Sequence, residues 1–237
     1  MRTLAILVAT AWVCGAQFAP PPQAESPEEF DAYLAVLDAQ TPAATLAAGE
    51  AFLRAWPSSG LRGHVYEREF EAYRRLNQLD KAIAAGEKAL AAAPDNLLVL
   101  AELAQVLANA TADEKRLSRA QQYADKVLTL SKSIRLPKFV TPQEWAQTEA
   151  RVNSIAHAAL GLVANQRGDA AGAIHEFETA IALAPQPDAT QYYRLGMLYR
   201  ATGNNAAAKQ KFAEAARSGE PAIQDLAKRA LRELEHP

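Results

Sequence analysis

The sequence predicts an all-α fold, a right-handed α-solenoid of helix-turn-helix repeats closed by a C-terminal capping helix. Three observations support this prediction. A pattern of small, aromatic and proline residues recurs after 35 residues, from 157 to 192 and from 161 to 196. Apolar residues follow the helical period, and no segment alternates at period two over the length of a strand. The final segment carries an amphipathic stripe that suits the end of a stack.

The repeated pattern can be interpreted as a pair of packed helices. The spaced residues of the first copy are His157, Leu160, Gly161, Gly168, Ala173, Phe177, Ala180 and Pro185. Those of the second copy are Tyr192, Leu195, Gly196, Gly203, Ala208, Phe212, Ala215 and Pro221. Small residues such as Gly161 and Ala173 let two helices approach closely, and Phe177 fills the space beside them. Glycines break the chain between the helices, and prolines stop one helix or start the next.

This pattern resembles the tetratricopeptide repeat, in which an aromatic residue, Leu-Gly, a tyrosine, an alanine, a phenylalanine and a proline follow at fixed spacing. The residues that match it nearly completely are Tyr192, Leu195, Gly196, Tyr199, Ala208, Phe212 and Pro221. The upstream copy departs at His157 and Ala164, which replace the aromatic residue and the tyrosine. The resemblance implies antiparallel helix pairs stacked into a superhelix, with each first helix on the concave side.

The repeat units are placed at about 63–96, 97–132, 154–187 and 189–221, and a capping helix follows at 221–235. In the first unit Phe70 stands where the signature has its small glycine, which leaves close packing there open. An N-terminal helical region at 27–62 begins with a predicted capping box at Ser26-Pro27-Glu28-Glu29, and Thr41-Pro42 opens another helix. A second predicted capping box, Thr141-Pro142-Gln143-Glu144, opens a helix with no breaker before Gly168, which predicts about 25 helical residues that overhang the neighbouring helix.

The first 16 residues have the features of a signal peptide. Arg2 precedes an apolar run from 4 to 13, and Cys14-Gly15-Ala16 provides a small-residue cleavage site before Gln17. We therefore expect a periplasmic or secreted mature protein whose membrane contact is limited to the transient signal peptide. Acylation of Cys14 and an uncleaved anchor are the alternatives. Residues 17–26 form a proline-rich linker, for which a motif recognised by a proline-binding groove is the alternative.

Composition limits the classes of function. The formal net charge is −2 and the basic residues are scattered, which argues against nucleic acid as the main partner. Cys14 is the only cysteine, so cleavage would leave neither a disulfide nor a thiolate-bound metal. The histidines lack a second ligand at metal spacing, and the sequence has no phosphate loop or serine elbow. We expect no metal, no cofactor and no catalytic residues.

The exposed face of the first helices is the expected binding surface, because stacked helical hairpins offer a concave groove. Its main candidates are Tyr193, Met197, Arg200, Asn165, Gln166, Arg74 and Arg75. The same face is expected to include Ile155, Ala158, Leu162, Thr190, Glu67, Glu71, Ala101, Gln105 and Asn109. Tyr193, Met197 and Arg200 would form one patch for an apolar residue followed by an acidic one. The alternative is that these three side chains pack on the helix of the next unit.

These features predict a non-catalytic scaffold or assembly module of the bacterial cell envelope that binds a protein or peptide through its concave face. One alternative is a structural protein that self-associates into a homo-oligomer through its repeat ends or its long helix. Another is an accessory protein that holds a polysaccharide or cofactor in the groove. Some family members bind chaperone carboxylates with a Lys, Asn and Arg clamp. That clamp is missing here, because its places carry Ala158, Leu162, Tyr193 and Met197.

Overall fold

The computed structural model describes residues 23–110, 113–134, 140–217 and 219–235. Within these ranges the chain forms helices and no strand, which confirms the predicted all-α fold. The helices are α1 (Pro27–Leu37), α2 (Pro42–Ala55), α3 (Arg62–Arg75), α4 (Leu79–Ala92), α5 (Leu97–Ala110), α6 (Glu114–Ser133), α7 (Pro142–Gln166), α8 (Ala170–Leu183), α9 (Ala189–Ala201), α10 (Asn205–Ala215) and α11 (Pro221–Glu235). The expected signal peptide and residues 17–22 of the linker lie outside the described residues.

The helices pack as consecutive hairpins, α1 with α2 and so on to α9 with α10, and α11 packs on α10. Each hairpin also contacts the next one, which makes the fold a solenoid. No helix in the described ranges is long and apolar enough to cross a bilayer.

The turns inside three hairpins use the same chemistry. Asn77, Gly168 and Gly203 have φ values of 55°, 80° and 82°, in the left-handed region that ends a helix. The residue after each glycine then starts the second helix: the Asp169 carboxylate accepts from the Gly172 amide, and Asn204 caps α10 in the same way. Short polar turns of this kind return the chain antiparallel to itself.

Buried side chains form three clusters along the stack. The central cluster runs from Phe70 on α3 to Leu198 on α9. The N-terminal cluster consists of Tyr33, Val36, Phe52, Leu61 and Val65. The C-terminal cluster consists of Ala208, Phe212, Ala215, Ala227 and Ala230, so α11 buries only small side chains there. The ends of the solenoid therefore rest on much smaller cores than its centre.

Helices α6 and α7 are the longest, with 20 and 25 residues. Helix α7 begins at a capping box, in which Thr141 and Glu144 each accept from the other's backbone amide. Residues 142–144 at its start are exposed, and α6 is in contact with α7. Trp145 of α7 and Ile134 at the end of α6 both pack against the central cluster. The two extensions therefore broaden one edge of the solenoid.

Candidate binding cleft

The predicted C-terminal patch faces the chain's own last helices. Tyr193 and Met197 are half-buried against the C-terminal cluster, and the Tyr193 ring lies 5.6 Å from that of Phe212. Arg200 donates to the Glu233 carboxylate of α11 at 2.7 Å. Helix α11 thus lies beside the surface on which the sequence predicted a ligand. A binding role for this patch stays a prediction.

The concave face over α7 is covered as well. Ala158 and Leu162 were expected to be exposed there, but they are 1% and 7% exposed, and Ala101 of α5 is fully buried. The physical reason is that α5 packs closely against α7, so that all three side chains belong to the central cluster. Arg194 of α9 donates across α7 to the Asn109 side-chain oxygen of α5 at 2.8 Å.

Asn165, Gln166 and Arg194 lie near this buried part of the predicted face. Asn165 and Gln166 are exposed at the end of α7, so their binding role stays a prediction too. Burial lowers the pKa of Arg194, and the Asp188 carboxylate opposes that shift. The partner of the guanidinium is the neutral Asn109, because no carboxylate of the described residues lies within ion-pair distance of it.

An open cleft of about 440 Å³ lies toward the N-terminal end of the same face, between α3, α5 and α7. It is lined by Glu67, Phe70, Glu71, Arg74, Arg75, Leu98, Val99, Glu102 and Arg151. The structure therefore brings the predicted Arg74 and Arg75 together in one concavity. Phe70 and Val99 are buried at its apolar floor, while the charged residues form its walls.

The charges in this cleft centre on Glu102. Arg74 forms an ion pair with its carboxylate, and Arg151 lies 3.8 Å from the other oxygen. The Arg74 guanidinium also lies over the Phe70 ring, 5.4 Å from its centroid. Burial raises the pKa of Glu102, against the lowering effect of Arg74 and Arg151. A carboxylate from α5 thus joins arginines of the preceding and following repeats.

Sequence reasoning did not select Leu98, Glu102 or Arg151 as site residues. Leu98 and Glu102 are four residues apart and share one helical face, so spacing could have added them to the expected surface. Arg151 precedes the repeat unit expected at 154–187 and lies on the extension of α7. The only sequence signal for Arg151 was the capping box at Thr141, which places the start of the helix upstream of the expected repeat unit.

The described part of the chain has no group of three or more His, Cys, Asp or Glu side chains placed to hold a metal ion. What the geometry offers is a cleft with an apolar floor and charged walls.

Stacked hairpins with small residues opposite buried phenylalanines define a helical-repeat protein. The family model of the tetratricopeptide repeat matches residues 71–96 and 190–217. The chain therefore contains tetratricopeptide repeats, as the signature residues predicted. No curated protein matches the sequence.

Several solved structures share the fold. MamA, residues 41 to the end, from Desulfovibrio magneticus RS-1 has a TM-score of 0.58 at 15% identity, covering 81% of this chain and 95% of its own. BtubC from P. vanneervenii has a TM-score of 0.52 at 17% identity, with coverage of 87% and 79%. The repeat protein TTC0263 of Thermus thermophilus has a TM-score of 0.51 at 20% identity, with coverage of 80% and 90%. These identities are low, so the likeness concerns the fold alone.

Proposed function

We propose that this chain is a non-catalytic module that binds a protein or peptide in the cleft between α3, α5 and α7. The observation that carries the proposal is an open, charged concavity beside the part of the same face where Ala101, Ala158 and Leu162 are buried. Its volume of about 440 Å³ lies in the range of roughly 300–1,000 Å³ that is usual for binding clefts. Side chains from three repeats line it, so a bound segment would contact several hairpins at once.

We further propose that the module acts as a scaffold or assembly factor in the bacterial cell envelope. The support is the N-terminal sequence, in which an apolar run ends at Cys14-Gly15-Ala16. The mature protein would begin near Gln17. N-terminal sequencing of the native protein tests this location, and an intact Met1 in a cytosolic fraction would exclude it.

Site-specific photocrosslinking in the native host tests the cleft. A photoreactive phenylalanine analogue at Leu98 lies in the cleft, and the same analogue at the exposed Ala84 of α4 is the matched control. We expect a crosslinked partner from position 98 and none from position 84. Equal capture from both positions would remove the support for the cleft.

Charge reversal then assigns the captured partner to the cleft walls. Arg75→Glu with Arg151→Glu should abolish capture. Arg229→Glu with Arg232→Glu makes the same change on the exposed face of α11 and should leave capture unchanged. If capture survives the first pair but is lost on changing Tyr193, Met197 and Arg200 to Ala, the site lies at the C-terminal patch. A mass that rises with protein concentration, with no partner captured, would favour the self-associating alternative.

A further inference from the structure

We propose that the segment recognised by the cleft is acidic, and that Glu102 stands in for its carboxylates in the free protein. The inference rests on the proposed function and names the chemistry of the partner. It follows from a count of hydrogen-bond donors and acceptors around the cleft and from the position of Glu102 beneath its arginines.

The cleft has many unused donors. Each arginine side chain carries five N–H donors and no acceptor. Arg74 bonds to Glu102, whereas Arg151 is 61% exposed and approaches Glu102 only to 3.8 Å, beyond hydrogen-bond distance. Arg75 is exposed and forms no hydrogen bond or ion pair with the described residues. Most of the donors on these three guanidinium groups therefore have no acceptor among the described residues.

Each carboxylate of the cleft already has a partner in the structure. Glu67 accepts from the Asn96 amide at 3.3 Å, and Glu71 accepts from Arg68 at 3.3 Å. Glu102 is the most buried of the three carboxylates, with its side chain 16% exposed. A basic ligand would compete with these partners for the carboxylates, whereas an acidic ligand would meet Arg75 and Arg151, which lack a hydrogen-bonded partner among the described residues. The balance favours a ligand that brings carboxylates.

The negative charge of Glu102 lies where it would repel a ligand carboxylate that approaches the same arginines. Glu102 lies beneath Arg74 and Arg151, so its charge satisfies them in the absence of a partner. A carboxylate arriving on the exposed side of Arg151 and Arg75 would share those cations with Glu102. Neutralising Glu102 should therefore strengthen acid binding, and the same change should weaken the binding of a basic ligand. The direction of the affinity change caused by Glu102→Gln therefore distinguishes an acidic ligand from a basic one.

The carboxylates are proposed to be side chains of an internal segment. Arg74 and Arg75 come from α3 and Arg151 comes from α7. Glu102 already fills the place between Arg74 and Arg151 with one carboxylate, so the ligand is proposed to bring two or three glutamates around an apolar residue, for Arg75 and the exposed side of Arg151. The apolar residue would rest on Leu98 and the floor beneath it.

The test uses the mature protein and four fluorescein-labelled nonapeptides, followed by fluorescence anisotropy. The first peptide is amidated and has glutamates around two leucines. The second and third replace the glutamates with glutamine or lysine, and the fourth is the glutamine peptide with a free terminal carboxylate. The variants are Glu102→Gln and Arg75→Gln with Arg151→Gln. The control is Glu87→Gln, which removes a carboxylate from an inter-repeat ion pair with Arg119 outside the cleft.

We expect the glutamate peptide to bind at least about tenfold more tightly than the others, because charge-assisted bonds exceed neutral ones. Glu102→Gln should tighten it by about fivefold, the effect of removing one like charge at cleft distances. Arg75→Gln with Arg151→Gln should weaken it to the level of the glutamine peptide. Glu87→Gln should leave it unchanged. If Glu102→Gln does not fold, Glu71→Gln must show the same direction of change.

Three results would overturn the inference: preference for the lysine peptide, weaker binding of the glutamate peptide by Glu102→Gln, or equal binding of the peptide with a free terminus. These failures are separable from failure of the proposed function. A partner crosslinked at position 98 that carries no acidic segment would refute the chemistry and keep the cleft. Capture elsewhere on the chain would remove both.

Discussion

At the residue scale, a glycine on one helix of a hairpin faces a phenylalanine on the other, and the helix that carries each residue differs between repeats. In the last two repeats a glycine of the first helix faces a phenylalanine of the second, Gly161 with Phe177 and Gly196 with Phe212. In the repeat of α3 and α4 the phenylalanine is on the first helix, as Phe70, and the glycine is on the second, as Gly86. The phenylalanine ring fills the space that the glycine leaves, whichever of the two helices carries the ring. The substitution at Phe70 therefore keeps the close packing that the sequence left open.

The two signature glycines should differ in their tolerance of a side chain. A Cβ at Gly196 would lie 2.7 Å from the Phe212 ring, which is fully buried and has no room to move. A Cβ at Gly161 would lie 3.0 Å from the Phe177 ring. We expect Gly196→Ala to lower the free energy of unfolding by about 1–3 kcal/mol, as overpacked cores do, and Gly161→Ala to lower it less.

Urea denaturation of both variants measures this difference. Gly219→Ala is the control, because a Cβ there meets no atom within 4 Å. Equal stability of the Gly196 variant and the control would show that α9 and α10 do not cross closely at this point.

Tyr199 gives the stability a dependence on alkaline pH. Its hydroxyl donates to the Glu178 carboxylate, and burial together with this bond raises the pKa of Tyr199 to about 12. The usual pKa is 10.0, so the folded state favours the neutral phenol. The associated stability is fully present below pH 10 and is lost as the pH rises toward 12.

We expect Tyr199→Phe to flatten the loss of stability over this interval, measured by urea denaturation at several pH values. Some loss must remain, because burial also raises the pKa of Tyr33 to about 12. Identical pH profiles for the two proteins would contradict the assignment to Tyr199.

At the scale of the elements, the sequence predicted where helices start better than it predicted which helical residues are buried. The Thr141 box is present as the sequence predicted. At the first helix Ser26 caps the Glu29 amide, but the Glu29 carboxylate accepts from Glu25 rather than closing a reciprocal box. The burial of Leu162 was not predictable, because it depends on how closely α5 packs against α7. How closely two helices pack depends on the whole stack, so the identity of a single residue does not reveal it.

Ion pairs join the second helices of neighbouring repeats on the convex back. Asp80 and Glu87 of α4 pair with Arg116 and Arg119 of α6, and Asp95 in the turn after α4 pairs with Lys126 of α6. Exposed pairs of this kind contribute about 0–1 kcal/mol each. The Glu87 pair is the least exposed on average, so it should be the strongest of the three.

Double-mutant cycles to alanine at low and high salt test this ranking. We expect the coupling energy of Glu87 with Arg119 to exceed that of Asp80, whose side chain is 83% exposed, with Arg116. Both couplings should shrink as salt screens them. The reverse order, or coupling that is insensitive to salt, would contradict the exposure argument.

At the scale of the whole molecule, the strongest repeat signature and the open cleft lie at opposite ends. The signature residues encode how helices pack, so they identify the fold where they are densest, around Gly196 and Phe212. The cleft is instead built from positions outside the signature, on α3, α5 and the extension of α7. The fold class was therefore predictable from the sequence. The location of the cleft was predictable only in part, through Arg74 and Arg75.

The division of the core into three clusters predicts how the solenoid opens. Repeats stabilise mainly their neighbours, so loss of one end should affect the adjacent hairpin and fade with distance. Removing α11 takes Ala227 and Ala230 from the C-terminal cluster and Glu233 from Arg200. It leaves the contacts of the central cluster intact, because no side chain of α11 belongs to that cluster.

Hydrogen exchange of the chain truncated after Gly219 measures this effect. We expect faster exchange in α9 and α10, with little change in α3, α4 and α5, which hold the cleft. The glutamate peptide should therefore bind the truncated chain as it binds the full one. Replacing Lys228 and Arg229 with Ala, on the exposed side of α11, is the matched control and should leave exchange unchanged. Faster exchange throughout the truncated chain would mean that the solenoid unfolds as one unit, and the cleft would then depend on the distant cap.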